Sequence, residues 1–198
     1  GNGISHTLLP EKGHVRPGML IVGGDSHTTS LGTFGAAATG LGTTEMAYVM
    51  ATGRNWFRVP ESIRFEVTGT MGDRVSSKDL ILHIAGTYGT DVGLYRAIEY
   101  GGPVIEALDI DDRFTLPNMS IELGAKYGFT PVDEKVTEYV EARSDEPFTP
   151  ARPDEDAEYA ERYEIDMSDI GPKVSKPHRV GNVVDVDDVT GTELDQVF

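Results

Sequence analysis

Residues 62–86, SIRFEVTGTMGDRVSSKDLILHIAG, contain the alternation of strand and helix patterns that decides the fold. Within this stretch, residues 62–69 alternate apolar and polar side chains with period two, which predicts a strand with one face in the core. Residues 76–79 carry the polar start of a helix and residues 80–84 continue it, apolar on nearly every side. We therefore predict a buried helix that ends at Gly86. A strand followed by a packed helix is typical of layered α/β domains, so we predict a layered α/β/α domain with a largely parallel sheet.

Further elements are predicted on both sides of this stretch. Residues 19–22 (MLIV) follow a turn signal and end at two glycines, which predicts a buried strand that enters a polar loop. Residues 45–51 (EMAYVMA) have the apolar density of a packed helix. The other predicted helices cover residues 95–100, 103–108, 120–127, 133–142 and 156–163, and another strand covers residues 183–186.

The composition changes near residue 143, where we divide the chain. Residues 1–143 are predicted to form a partial α/β catalytic core. Residues 144–156 (SDEPFTPARPDED) are acidic and rich in proline, which is typical of a surface linker, so residues 144–198 are assigned as a linker and a terminal strand. The chain begins without methionine inside what reads as a structured segment, and we expect it to be an internal fragment.

The charge balance excludes two classes of partner. The chain has 198 residues, 17 basic and 33 acidic side chains, and a formal net charge of −16. Such a field repels nucleic acid and anionic membranes. No apolar run reaches the roughly 18 residues of a membrane span and no secretory signal is visible, so we expect a cytoplasmic protein. There is no cysteine, which excludes disulfides and cysteine-bound metal within this chain.

The loop after the predicted strand at residues 19–22 has the strongest chemical pattern in the chain. Asp25, Ser26 and His27 place a carboxylate, a hydroxyl and an imidazole together, and ligands of α/β sheets bind beyond the carboxyl ends of strands. A carboxylate can orient an imidazole for proton transfer. Neighbouring loop residues seldom face each other, so we expect Asp25 and His27 to have separate partners. On spacing alone, a simple polar turn remains an alternative.

Two other residues are candidates on weaker grounds. His6 lies beside glycine and hydroxyl residues, and on its own it fits an ordinary surface histidine equally well. Glu122 lies between Ile121 and Leu123, so its carboxylate either faces solvent or meets a cation inside the protein. The glycine-rich segment 32–42 lacks both the dinucleotide fingerprint and the Walker lysine, which argues against nucleotide binding.

Taken together, these segments resemble the aconitase superfamily in order and spacing. The matching motifs are residues 3–6 (GISH), 17–19 (PGM), 24–28 (GDSHT), 40–43 (GLGT), 78–79 (KD) and 118–125 (NMSIELGA). The resemblance is clear from residue 1 to about residue 139 and looser beyond it. Residues 8–13 (LLPEKG) and 51–61 (ATGRNWFRVPE) look like archaeal-type large subunits of 3-isopropylmalate dehydratase, and homoaconitase and dimethylmalate dehydratase large subunits are similar there.

The resemblance implies a mechanism and a site. In that family a 4Fe-4S cluster acts as a Lewis acid while water is removed from a 2-hydroxy acid and added back at the neighbouring carbon. By resemblance, His6 and Asp25 match one catalytic histidine–carboxylate pair, and His27 and Glu122 match a second. By the same resemblance, Ser26 matches a substrate-contacting residue and Asn118 matches an asparagine near the cluster, so we assign both as substrate-binding residues.

The chain also departs from the family pattern. Three cysteines hold the cluster in the family, all downstream of the matched region, and residues 193–198 look like the strand that leads to the first of them. We therefore expect the cluster in the complete enzyme but no ligand in this chain. The expected partners are the remainder of the large subunit, a small subunit that carries the swivelling domain, and a hydroxy-acid substrate.

The sequence therefore favours a fragment of a hydro-lyase that isomerises a 2-hydroxy di- or tricarboxylate, such as 3-isopropylmalate in leucine biosynthesis, and that is inactive on its own. Homoaconitate, 2,3-dimethylmalate and citrate are alternative substrates. Two other functions remain open, namely a cluster-free binding module on the same scaffold and a hydrolase that uses Ser26 and His27. The second lacks the glycine spacing of a nucleophile elbow.

Overall fold

The computed structural model describes residues 3–195, and the chain forms α/β layers. The helices are α1 Ser5–Glu11, α2 Thr43–Thr52, α3 Ser77–Tyr88, α4 Pro103–Ala107, α5 Ile110–Met119 and α6 Glu134–Glu141. The strands are β1 Leu20–Gly23, β2 Ala37–Gly40, β3 Ser62–Thr68, β4 Ala97–Gly101, β5 Tyr127–Phe129, β6 Glu161–Asp166, β7 Lys173–Ser175 and β8 Val183–Asp185. Turns of 3₁₀ helix cover Ser26–Phe34, Ser120–Leu123, Met167–Asp169 and Val186–Val189.

A four-stranded parallel sheet in the order β5-β4-β3-β6 forms the centre of the larger core. In β3 the period-two pattern places Ile63, Phe65 and Val67 inside, each fully buried. The Phe65 ring stacks on Tyr163 of β6 at 4.9 Å and on Tyr100 of β4 at 6.0 Å between centroids. The prediction of an α/β domain with a largely parallel sheet is confirmed.

Helix α3 begins as predicted but runs further. The Asp79 carboxylate accepts from the Ser76 backbone N–H at 2.8 Å, which satisfies a donor that the first turn leaves free. The helix passes through Gly86 and ends at Tyr88, so the predicted end at Gly86 is wrong. A Cβ on Gly86 would lie 2.9 Å from Cβ of Val183. The glycine therefore allows β8 to approach the helix.

A second, smaller core supports the segment that follows β1. β1 and β2 pair in parallel, and the 3₁₀ helix Ser26–Phe34 connects them. Phe34 packs against Tyr139 of α6 and Phe114 of α5, with ring centroids 5.1 and 6.4 Å apart. This packing fixes the 3₁₀ helix against α5 and α6, and thereby the residues at its start.

Some predicted elements differ from the structure. Residues 97–101 form β4 and residues 161–166 form β6, so the predicted helices at 95–100 and 156–163 are wrong. In β4 four of the five residues are buried on both sides, so no period-two pattern marks the strand. Residues 120–127 form only a 3₁₀ turn and the start of β5. The helices at 103–108 and 133–142 are confirmed, and Asp133 caps α6 as expected.

Two elements are present but more exposed than their composition predicts. The strand predicted at 19–22 is β1, yet none of its residues is buried and Leu20 is 59% exposed. The helix predicted at 45–51 is α2, which likewise buries no residue and leaves Met50 82% exposed. The strand and the helix are therefore present as predicted, but the prediction that they are buried was wrong within residues 3–195.

The C-terminal part contributes to the sheet. Residues 144–160 contain no helix or strand, and β6 then pairs in parallel with β3. The predicted strand at 183–186 is β8. Of the strand expected at 193–198, residues 193–195 are not extended in a sheet and residues 196–198 lie outside the described part. No helix among residues 3–195 is long and apolar enough to cross a membrane.

Candidate active site

Asp25 lies two residues after the end of β1, beyond the carboxyl end of the strand, and caps the 3₁₀ helix that follows. Its carboxylate Oδ1 accepts from the backbone N–H of His27 at 2.7 Å. Its backbone carbonyl accepts from the Thr28 hydroxyl at 2.6 Å. These local bonds form because aspartate satisfies the free donors of a first helical turn. They hold residues 25–27 in one rigid turn, with their side chains at the strand end.

His6 and Asp25 form the first predicted pair. Nε2 of His6, on α1, lies 3.0 Å from Oδ1 of Asp25 in a hydrogen bond. The pKa of Asp25 is lowered, chiefly because the His27 N–H donates to the carboxylate; burial opposes this shift, and the charge and hydrogen bond of His6 add to the lowering. Asp25 is therefore ionised near neutral pH and orients the His6 ring.

His27 and Glu122 form the second predicted pair. Nε2 of His27 lies 3.6 Å from Oε1 of Glu122, which is on the 3₁₀ helix Ser120–Leu123. Nδ1 of His27 lies 3.2 Å from the Ser26 hydroxyl and 3.7 Å from Oδ1 of Asp25. As expected, Asp25 and His27 have separate partners in their shortest side-chain contacts. Oδ1 of Asp25 nevertheless also lies 3.7 Å from Nδ1 of His27, so Asp25 contacts both histidines.

Together these residues form one continuous series of titratable groups, His6–Asp25–His27–Glu122. The side chains of Asp25, His27 and Glu122 are partly open to solvent, at 57%, 36% and 37%. His6 lies deeper, at 13%. A ligand can therefore reach three of the four groups, while the fourth supports the others from inside.

Asn118 joins this site through a residue that the sequence analysis did not single out. Nδ2 of Asn118, on α5, donates to the Ser30 hydroxyl at 2.8 Å. The Ser30 hydroxyl in turn donates to the backbone carbonyl of His27 at 2.5 Å. Ser30 is fully buried. Its position three residues after His27, on a helical turn, is the signal that could have identified it.

A glycine allows the turn at Asp25 and Ser26 to pack against the neighbouring strand. A Cβ on Gly40, at the end of β2, would lie 2.7 Å from the carbonyl oxygen of Asp25 and 2.9 Å from Cα of Ser26. Both contacts are to backbone, so neither can be relieved by rotating a side chain. Gly40 therefore allows the strand β2 to pack closely against the turn of the site.

The donor set of this chain does not match an iron–sulfur cluster. Such clusters are held by cysteine thiolates, and the chain has none. Among residues 3–195, no group of three or more histidine and acidic side chains could hold a metal ion. The described residues therefore supply no ligands for such a cluster.

Comparison with known proteins places the chain in a family. The sequence profile of the aconitase family (aconitate hydratase) matches residues 1–197. The chain belongs to the aconitase family. This aconitase-family chain is 50% identical over 196 residues to 3-isopropylmalate dehydratase large subunit 1 of Methanopyrus kandleri, covering 99% of the chain and 47% of that protein.

Two further relatives of the aconitase-family chain are large subunits with related names. It is 52% identical over 188 residues to the 3-isopropylmalate dehydratase large subunit of Caldicellulosiruptor saccharolyticus, covering 95% of the chain and 44% of that protein. It is 48% identical over 196 residues to the probable methanogen homoaconitase large subunit of Methanothermobacter thermautotrophicus, covering 99% and 46%. The chain thus spans about half the length of the curated relatives it matches. The resemblance stated from the motifs is confirmed.

Proposed function

We propose that this chain forms part of the large subunit of a hydro-lyase that dehydrates and rehydrates a 2-hydroxy dicarboxylate. The observation that carries the proposal is the convergence of His6, Asp25, His27 and Glu122, in contacts of 3.0 to 3.7 Å, at the carboxyl end of β1. In these contacts two imidazoles alternate with two carboxylates. This arrangement suits a reaction that moves protons in both directions.

The reaction needs such groups because it breaks two bonds. A C–O bond to the hydroxyl and a C–H bond on the neighbouring carbon are cleaved, so one group must give a proton to the leaving oxygen and another must remove a proton from carbon. An imidazole performs either role near neutral pH, and a carboxylate fixes its orientation. We assign His27 with Glu122, and His6 with Asp25, as the acid–base pairs on this chain. Ser26 and Asn118 are assigned as substrate contacts.

A 4Fe-4S cluster, when bound in a complete enzyme of this family, supplies Lewis-acid polarisation of the substrate hydroxyl and carboxylate. The chain offers no thiolate to hold it. What this chain contributes is the orientation of the substrate and the transfer of protons.

The names of the relatives guide the choice of substrate and partners. Two of those described are 3-isopropylmalate dehydratases and one is a probable homoaconitase. We therefore propose 3-isopropylmalate, in leucine biosynthesis, with homoaconitate as the alternative that a relative supports. The proposed partners are the remainder of the large subunit and a small subunit, since the relatives are named large subunits. We further propose that the assembly works in the cytoplasm.

The experiment is an assay of alkene formation. The large subunit containing this chain is assembled with its small subunit, iron and sulfide are reconstituted without oxygen, and the ultraviolet absorbance of the alkene is followed. Activity on 3-isopropylmalate above that on homocitrate, 2,3-dimethylmalate and citrate supports the proposal. A folded, cluster-loaded assembly that is inactive on all four contradicts it and favours a binding module.

A hydrolase is the second candidate because the order Ser26, His27, Glu122 places a hydroxyl on one ring nitrogen and a carboxylate near the other. This order is that of a nucleophile, a base and an orienting acid. The test is hydrolysis of a p-nitrophenyl ester by the chain and by Ser26→Ala. Hydrolysis that is lost in Ser26→Ala would favour this candidate, and equal rates for both proteins would exclude it.

A further inference from the structure

Ser30 joins two parts of the site through a single buried hydroxyl. A serine hydroxyl has one proton to donate and two lone pairs to accept with. The proton goes to the carbonyl oxygen of His27 at 2.5 Å, so the hydroxyl must act as acceptor toward Nδ2 of Asn118 at 2.8 Å. This assignment fixes which way the Asn118 amide is turned. One Nδ2 proton of Asn118 is donated to the buried Ser30 hydroxyl, and this fixes the positions of the other Nδ2 proton and of Oδ1.

The same bridge sets a distance between two segments. His27 is on the 3₁₀ helix Ser26–Phe34, whereas Asn118 is at the end of α5, which runs directly into the 3₁₀ helix that carries Glu122. The bond between Ser30 and Asn118 therefore ties the segment of His27 to the segment of Glu122. A shift of α5 relative to the 3₁₀ helix Ser26–Phe34 would therefore change both the position of the Asn118 amide and the distance between His27 and Glu122.

Other buried hydroxyls of this helix do not provide such a connection. Thr29 and Thr33 are fully buried, yet within the described residues their hydroxyls have no hydrogen-bond partner. The Thr28 hydroxyl bonds locally to Asp25. Burial in this helix therefore does not by itself produce a bond to α5, and the Ser30 bridge is a specific contact.

We propose that Ser30 is a positioning residue, which orients the Asn118 amide and holds the His27 and Glu122 segments in register. Its effect on catalysis rests on the proposed function, whereas its effect on the Asn118 amide does not. Neither the family comparison nor the motifs assign a role to this serine. Ser30 itself is buried; it acts through Asn118, whose amide its hydroxyl links to the His27 backbone.

The decisive test is exchange of the Asn118 side-chain amide protons in the full chain, followed by ¹⁵N nuclear magnetic resonance. In the wild type we expect one Nδ2 proton to exchange at least about tenfold more slowly than the other. In Ser30→Ala this protection is lost, in Ser30→Thr it is retained, and in Thr33→Val, the matched control, it is unchanged. Equal, rapid exchange of both protons in the wild type overturns the proposal without any variant.

Activity of the assembled enzyme provides a second, independent readout. If Ser30 acts through Asn118, Ser30→Ala lowers kcat/KM, but the double variant with Asn118→Ala is no slower than Asn118→Ala alone. If the kcat/KM losses of the two single variants multiply in the double variant, Ser30 does not act through Asn118. A wild type without activity contradicts the proposed function, while the exchange measurement still decides the role of Ser30.

Discussion

Nε2 of His27 lies 3.6 Å from Oε1 of Glu122, although the two residues come from segments far apart in the chain. The contact exists because the helix after β1 packs against α5 and against the 3₁₀ helix that continues α5. On its other side, the His27 ring meets Ser26 and Asp25. Both ring nitrogens therefore face groups that can exchange a proton or fix the ring.

Replacing Glu122 by glutamine should remove the second acid–base pair without changing its shape. Glutamine carries neither a negative charge nor a transferable proton, so we expect kcat/KM of the assembled enzyme to fall by about 10²- to 10⁴-fold. The measurement is alkene formation at equal iron and sulfide content. The control is Glu138→Gln on the exposed side of α6, which should match the wild type. Equal activities of Glu122→Gln and Glu138→Gln would remove Glu122 from the site.

Adding a methyl group to Gly40 should displace the turn at Asp25. The new Cβ would lie 2.7 Å from the Asp25 carbonyl oxygen, so the backbone must move. A misplacement near 1 Å costs about 10²-fold in rate, and we expect a loss of that order in kcat/KM for Gly40→Ala. Gly72→Ala is the matched control, because its Cβ would meet Val75 at an ordinary 3.6 Å. Full activity of folded Gly40→Ala would show that the turn tolerates movement.

The ion pair of Arg113 and Asp133 should make stability depend on pH. Arg113 is fully buried and its guanidinium donates to Asp133 at 2.6 Å. Burial favours a higher pKa for Asp133, but the hydrogen bond and charge of Arg113 outweigh it and hold the pKa below the ordinary 3.8. A carboxyl whose pKa is lowered by folding stabilises the protein above its unfolded pKa, and this stabilisation is lost as the pH falls through the folded pKa.

Asp133→Asn should therefore lower the free energy of unfolding by about 2 kcal/mol near neutral pH. Asparagine still caps α6, so the change isolates the charge. Urea unfolding from about pH 7 to about pH 3 should show the difference from the wild type shrinking at the acidic end. Asp109→Asn, at a largely exposed carboxylate, should cost less than about 0.5 kcal/mol. A difference that stays constant over this pH range contradicts the ionic role.

The sequence predicted those parts of the fold in which local pattern and tertiary burial agree. β3 exposes and buries alternate residues, and α3 begins with a polar cap followed by an apolar run, so both were recognisable. β4 is buried on both faces, and β6 is a mostly polar strand at the edge of the four-stranded sheet. β4 therefore lacks the period-two pattern of a half-buried strand, whereas β6 shows it only briefly, with Tyr163 and Ile165 turned to the core between charged residues. Whether such segments form strands depends on the strands beside them in the sheet, and the pattern of a single sequence does not show which strands these are.

The candidate site could be located but not assembled from local sequence. Asp25, Ser26 and His27 were visible as a cluster, whereas pairing His6 with Asp25 and Glu122 with His27 required the family resemblance. The structure brings these residues together as that resemblance implies, and their catalytic roles stay predictions. Ser30 was missed because its bridge to Asn118 depends on how α5 packs on the 3₁₀ helix.

If His27 transfers protons in the proposed hydro-lyase reaction, its loss must slow that reaction, so the decisive measurement is the rate of alkene formation from 3-isopropylmalate by the wild type and by His27→Ala. Both assemblies are compared at equal cluster content and equal thermal stability. We expect an active wild type and a loss of about 10²-fold or more in His27→Ala. Turnover by His27→Ala at the wild-type rate would contradict this role of His27.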